Sequence, residues 1–282
     1  MENLIALFNI GFFRNAFIAA FFASITCGII GTYIVSRRIV FISGGITHAS
    51  FGGIGMGYYF GFNPIFGAVV FGILSALGIE FFTKRADLRE DSAIAILWSL
   101  GMALGVIFIF LTPGYAPNLM SYLFGNILTV SKEDLIYLLL LAIFVIGVFL
   151  IFYRMIIFIS FDEEFALTNN APVRLFNALL ISLVALTIVL NIRVVGIILV
   201  MSLLTIPQAI ANLFTKRFDY MMFYSIGFGF LGSVTGLSFS YIYDIPSGAA
   251  IIFSLVVLYG LFKTGFIVFG KANLKYRKNV KI

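Results

Sequence analysis

Nine apolar stretches of about 17–24 residues alternate with short polar joints between residues 12 and 269. Apolar residues run all round each stretch and not along one stripe, as in helices whose whole surface meets lipid or other helices. About 20 such residues rise ~30 Å as a helix, the thickness of a bilayer's hydrocarbon core. The predicted spans are 12–35, 41–60, 65–82, 92–112, 135–158, 175–191, 194–213, 220–240 and 247–269. Only Asn191, Ile192 and Arg193 separate the sixth from the seventh, and fusion of those two would leave eight. The pattern predicts an all-α polytopic membrane protein.

Composition narrows this further. Hydrophobic residues make up 62% of the 282 positions and charged residues 11%, with a mean hydropathy of +1.12. No polar segment exceeds about 20 residues, too short to bury a core of its own. Residues 1–282 therefore form a single membrane domain. Cys27 is the one cysteine, so no disulfide framework exists; packing is its expected role, with metal contact the other reading. Residues 1–11 lack the basic start of a cleavable signal, and none is expected.

Lysine and arginine set the orientation, because they are retained on the cytoplasmic side. Alternating the joints collects Arg37, Arg38, Lys84, Arg85, Arg89, Arg154, Arg174, Lys216, Arg217 and Lys263 on one side. Lys271, Lys275, Arg277, Lys278 and Lys281 join them, against Arg14, Lys132 and Arg193 on the other. Fifteen of the 18 thus share a side, which places the C-terminus inside and, with nine spans, the N-terminus outside. The pI near 9.4 then reports topology and contact with anionic membrane lipids, not a nucleic-acid partner.

Glycines crowd the second span (Gly44, Gly45, Gly52, Gly53, Gly55, Gly57, then Gly61) and line the eighth (Gly227, Gly229, Gly232, Gly236). Their four-residue spacings let helix backbones approach closely. The other reading is backbone that can unwind beside a pathway.

His48 is the one histidine, and it falls inside the second span, ten residues and about 15 Å beyond Arg38. An ionisable group at that depth is costly and points to function. Ser43, Thr47 and Ser50 accompany it. One histidine makes no tight metal site. Two chains meeting across an axis would offer two imidazoles and several hydroxyls, a weak site suited to passing a borderline divalent cation. The alternative is a neutral histidine hydrogen-bonded between helices.

Carboxylates are informative by where they are absent. All fall at or beyond span ends except Glu80, which stands four residues before Lys84 in the spacing of a helical ion pair. Coupled carriers place acids or broken helices near the midplane, and no such acid occurs here. No GxxxxGK[ST] loop occurs either, so ATP is not bound by that route. An intramembrane enzyme would need paired acids, a nucleophile with its base, or two histidines.

The longest basic-side joint is SFDEEFALTNNAPVRLFN, 160–177. Ser160 can cap a short helix, with Asp162, Glu163 and Glu164 in its first turn. Phe165, Ala166 and Leu167 follow, Asn169 and Asn170 can supply a left-handed stop, and Pro172 prevents continuation. Such an amphipathic helix is either a docking knob for a soluble partner or an ordinary capped loop. Pro207 interrupts the seventh span. Thr205, Gln208 and Asn212 near it either line an inner vestibule or satisfy the carbonyl that proline frees.

Taken together these segments resemble the permease subunit of bacterial ABC importers for zinc, manganese or iron. RRIVFISGGITHASFGG (37–53) is similar to that family's basic pair, gate segment and intramembrane histidine. SYLFGNILTVSKEDL (121–135) resembles its outer loop, and FDEEFALTNN (161–170) its ATPase-docking segment. RVVGIILVMSLLTIPQAIA (193–211) and GLSFSYIYDIPSGAAI (236–251) resemble its last two signatures, the second placing Asp244 at the outer rim. The similarity is collinear from about 12 to 269.

The resemblance implies a type II ABC importer-like bundle, working as a homodimer in a bacterial or archaeal plasma membrane. It implies two separate ATPase subunits that use the ATP, an external metal-binding protein, and no stably bound cofactor. It makes His48 a pathway ligand and Asp162–Asn170 the coupling segment, within a cytoplasmic stretch at 160–174. Many members carry aspartate where this chain has Gly44, which shifts the gate onto Ser43, Thr47 or backbone oxygens. The coupling segment often ends in glycine, where Asn170 stands here. Competing readings are a related importer for a chelate such as haem, cobalamin or a siderophore, and a secondary carrier or channel.

Overall fold

The computed structural model describes residues 11–86, 88–113, 125, 127–169 and 171–279, with side chains to 268. Its helices are α1 (Gly11–Ser36), α2 (Val40–Phe60), α3 (Pro64–Arg85), α4 (Glu90–Leu111), α5 (Lys132–Phe161) and α6 (Glu163–Thr168). There follow α7 (Val173–Val195), α8 (Ile197–Leu203), α9 (Ile206–Phe214), α10 (Phe218–Tyr243) and α11 (Ser247–Asn279). No strand occurs among the described residues. Asn170, and residues 121–124 and 126 of the segment expected to be an outer loop, lie outside them.

Among the described residues eight segments are long and apolar enough to cross a membrane: α1, α3, α4, α5, α7, α8–α9 together, α10 and α11. The ninth expected span is α2. Its 21 residues rise about 31 Å, enough to cross, but glycines, hydroxyls and His48 make it less apolar. The count of eight therefore arises at α2, and not from fusion of the sixth and seventh spans.

Those two spans are separate, although the joint moves. Asn191, Ile192 and Arg193 are helical, and the chain breaks at Gly196 (φ 81°, ψ 165°). Asn191 Nδ2 donates to Thr26 Oγ1 at 3.2 Å, and Arg193 Nε meets Asp134 Oδ1 at 2.7 Å. Polar side chains supplied with partners need no loop. Gly125 packs directly on the break: a Cβ there would stand 2.3 Å from Gly196 N.

Helix ends follow local chemistry. Asn63 Oδ1 accepts from Ile65 N–H, with Pro64 in the first turn of α3. Ser131 and Asp134 form a reciprocal capping box on α5. The cap expected at Ser160 is instead supplied by Asp162, whose Oδ1 accepts from Phe165 N–H at 2.9 Å. Ser160 remains in the last turn of α5 and donates to Ile156 O at 2.5 Å.

Helices α1, α2 and α7 are the most enclosed, around Tyr33, Ile34, Ile46, Leu180 and Ile188. Outward-facing Phe41, Phe110, Leu150, Ile151 and Phe223 are among the most exposed apolar residues, as a lipid-facing surface requires. Helix α2 lies tightly between α3 and α4. A Cβ on Gly53 would stand 2.0 Å from Gly67 O, and one on Gly101 2.4 Å from Ala49 Cα. These glycines permit backbone-to-backbone packing.

Candidate functional site

Two places gather the chain's chemistry. The first is the outward turn of α2 that carries His48, eight residues and about 12 Å beyond Val40. Its imidazole lies flat on the Trp98 indole of α4, ring centroids 4.2 Å apart and planes at 4°. Nδ1 is buried with no hydrogen-bond partner. A side chain at Gly44 would point to the same spot, its Cβ 3.1 Å from Met201 Cε and 3.9 Å from Trp98 Cζ3. His48, Trp98, Gly44 and Met201 thus share one patch between α2, α4 and α8.

The hydroxyls sit differently. Ser43, Thr47 and Ser50 follow an i, i+4, i+7 stripe, and His48 lies about 100° round the helix from Thr47. Ser43 donates to Val40 O at 2.6 Å, Thr47 to Ser43 O and Ser50 to Thr47 O at 2.7 Å. Each hydroxyl is satisfied by its own helix, so the hydroxyl stripe and the imidazole are distinct. Among the described residues no three His, Cys, Asp or Glu side chains cluster as metal ligands.

The second place is α6 at the basic end. Ala166 is fully buried against Ile159 and Val173, while Phe165 and Leu167 are more than half exposed. Asp162 caps the helix; Glu164 is exposed, and Glu163 turns inward. Its carboxylate accepts from Arg37 Nη2 at 2.9 Å, Lys84 Nζ at 2.6 Å and Asn177 Nδ2 at 3.0 Å. Burial by itself would raise the Glu163 carboxyl, but hydrogen bonds and charge from Lys84 and Arg37 outweigh it and hold the group below the usual glutamate range. The helical pair Lys84–Glu80 is present at 3.4 Å. A 660 Å³ cavity opens beside this cluster, lined by Leu77, Phe81, Leu167 and Arg174 among others.

The remaining expected residues are scattered. Pro207 opens α9 after a break at Leu204 and Thr205. Gln208 is buried and donates to Cys27 O at 2.8 Å, tying α9 to α1 and not lining a vestibule. Thr205 donates to Met201 O at 2.8 Å. Asn212 Oδ1 accepts from Lys216 Nζ at 2.8 Å at the basic end. Asp244 caps α10 at the opposite end in a left-handed conformation (φ 53°) and is exposed. Trp98, Met201, Lys84 and Asn177 were not expected at these sites. Trp98 is the one tryptophan, yet no local spacing ties it to a residue fifty positions earlier.

Relatives agree with this architecture. An uncharacterised membrane protein of Synechocystis is 40% identical over 259 residues, 92% of each chain. The manganese transport system membrane protein MntC of Halalkalibacterium halodurans is 35% identical over 265 residues, 93% of this chain and 91% of that one. A chain of the solved structure of PsaBC from Streptococcus pneumoniae in complex with Fab superposes with a TM-score of 0.83 at 30% identity, covering 93% of this chain and 94% of that one. Residues 9–264 match the model of the ABC 3 transport family, and the chain belongs to that family.

Proposed function

We propose that this chain is the membrane subunit of an ATP-driven importer of a divalent metal ion of the zinc, manganese and iron class. Two copies form the pathway, and a separate ATPase docks on each α6 from the cytoplasm. An external metal-binding protein delivers the ion to the opposite end, near Asp244. The basic end, with fifteen of eighteen lysines and arginines, is cytoplasmic. The metal is cargo, and the chain itself performs no ATP hydrolysis.

One observation carries the reading: His48 holds a buried nitrogen with no partner inside the bundle. A packing histidine is expected to be hydrogen-bonded. An unpartnered imidazole nitrogen is a ligand for a borderline cation. Among the described residues no three His, Cys, Asp or Glu side chains cluster, and a lone nitrogen suits the transient contact that transport requires.

His48→Ala tests this in proteoliposomes holding the chain with its ATPase. Because Nδ1 makes no bond, alanine breaks no hydrogen bond there; it removes the Trp98 stack, about 0.5–1.5 kcal/mol beyond the area the ring buries. Assembly should persist while manganese or zinc uptake is lost. A folded His48→Ala complex with wild-type uptake would reduce this residue to packing.

A further inference from the structure

Helix α6 packs on the bundle through Ala166, buried against Ile159 and Val173, and is tied to it by the ion pairs of Glu163. Glu163 accepts from Arg37 in the α1–α2 joint, from Lys84 in the last turn of α3 and from Asn177 in α7. Arg37 also donates Nη1 to Ile159 O in the last turn of α5 at 2.8 Å. Charge-assisted bonds of this kind are stronger than neutral ones. Both ions are shielded, Arg37 being 18% and Glu163 28% exposed, so solvent screening is reduced.

The element beyond Arg37 is built to turn. Arg38 has φ 60°, a left-handed conformation uncommon outside glycine and costly to hold. Ile39 follows and α2 begins at Val40. Arg38 N–H bonds Val35 O and Ile39 N–H bonds Ile34 O, so the joint is tight and leaves little slack. A displacement of Glu163 therefore pulls through Arg37 on the joint itself, which aims α2 and His48. On its other face α6 presents Phe165 and Leu167.

We infer that Glu163 is a positioning residue for energy coupling: its paired contacts with Arg37 and Lys84, seated by Asn177, transmit movement of α6 to the α1–α2 joint and so to the His48 patch. This rests on the reading of α6 as the ATPase dock. Glu163 links the surface that is pushed to the helix that must move.

The experiment measures ATP hydrolysis and manganese or zinc uptake by the complete complex in proteoliposomes. Wild-type complex without ATP-driven uptake of either ion would overturn the functional reading itself. Given wild-type uptake, Glu163→Gln should retain its bound ATPase and its hydrolysis while uptake per ATP falls at least about tenfold. Arg37→Gln should show the same defect, and the double variant should be no worse than either, as members of one unit behave. An unchanged ratio, or hydrolysis and uptake falling in proportion, would overturn the inference. So would loss of the chain or its ATPase in both variants, which would make the cluster a structural tie.

Discussion

The imidazole of His48 and the indole of Trp98 lie face to face, 4.2 Å between centroids and 4° between planes. The stack fixes the imidazole plane while leaving Nδ1 at its edge without a partner. Because Trp98 is the one tryptophan, its fluorescence reads this contact alone. Manganese or zinc added to the purified protein should change that emission in the wild type and not in His48→Ala. A silent wild-type signal under conditions that support uptake would separate the stack from the metal path.

Backbone packing of α2 makes a second expectation. A methyl group at Gly53 would stand 2.0 Å from Gly67 O, whereas one at Gly227 meets nothing within 4 Å. Backbone cannot step aside as a side-chain tip can, so Gly53→Ala should cost at least about 1–3 kcal/mol, as overpacking typically does. Gly227→Ala should be neutral or stabilising by about 0.5–1 kcal/mol. Thermal melting in detergent distinguishes them, and equal melting temperatures would mean that α2 and α3 are not in backbone contact.

Much of this fold was legible because a bilayer imposes a length. Spans ended within about four residues of expectation wherever polar residues marked a true joint, as at Arg37 and Arg217. Asn191 and Arg193 misled for a physical reason: their partners, Thr26 and Asp134, are distant in sequence. Ser160 misled because Asp162, two residues later, supplies the cap. At the site, depth alone singled out His48. Its surroundings did not follow, since Trp98 and Met201 arrive from α4 and α8, and the neighbouring hydroxyls bond their own helix.

The two faces of α6 should respond oppositely to charge. Phe165 and Leu167 are exposed, while Ala166 is fully buried against Ile159 and Val173. Phe165→Asp with Leu167→Asp should leave the chain folded and inserted but abolish ATPase docking, read by co-purification. Ala166→Asp should lower accumulation of the chain itself, because it puts a charge into the apolar contact with Ile159 and Val173. Normal ATPase co-purification with the double variant would move the dock elsewhere.

Glu163 also sets a pH expectation. Its neighbours are Arg37 and Lys84, with Glu80 sharing Lys84, and the two cations hold its carboxyl below the ordinary value of 4.5. A folded-state pKa below the unfolded one contributes stability that is fully present above the unfolded value. That contribution is lost as pH falls through the folded one. Across the neutral range Glu163 is therefore ionised, and its link to Arg37 should not vary with pH. Melting of the wild type and of Glu163→Gln should differ by a constant interval from pH 8 to about 5.5. The interval should then close as the solution is taken below the usual carboxylate range, because protonation makes the wild-type carboxyl as neutral as glutamine. Arg37, Lys84 and Glu80 are common to both proteins, so the closing interval isolates Glu163. A difference that vanishes already between pH 7 and 6 would show that the cluster does not hold the carboxylate ionised, and the ion pairs would lose their place as the anchor of α6.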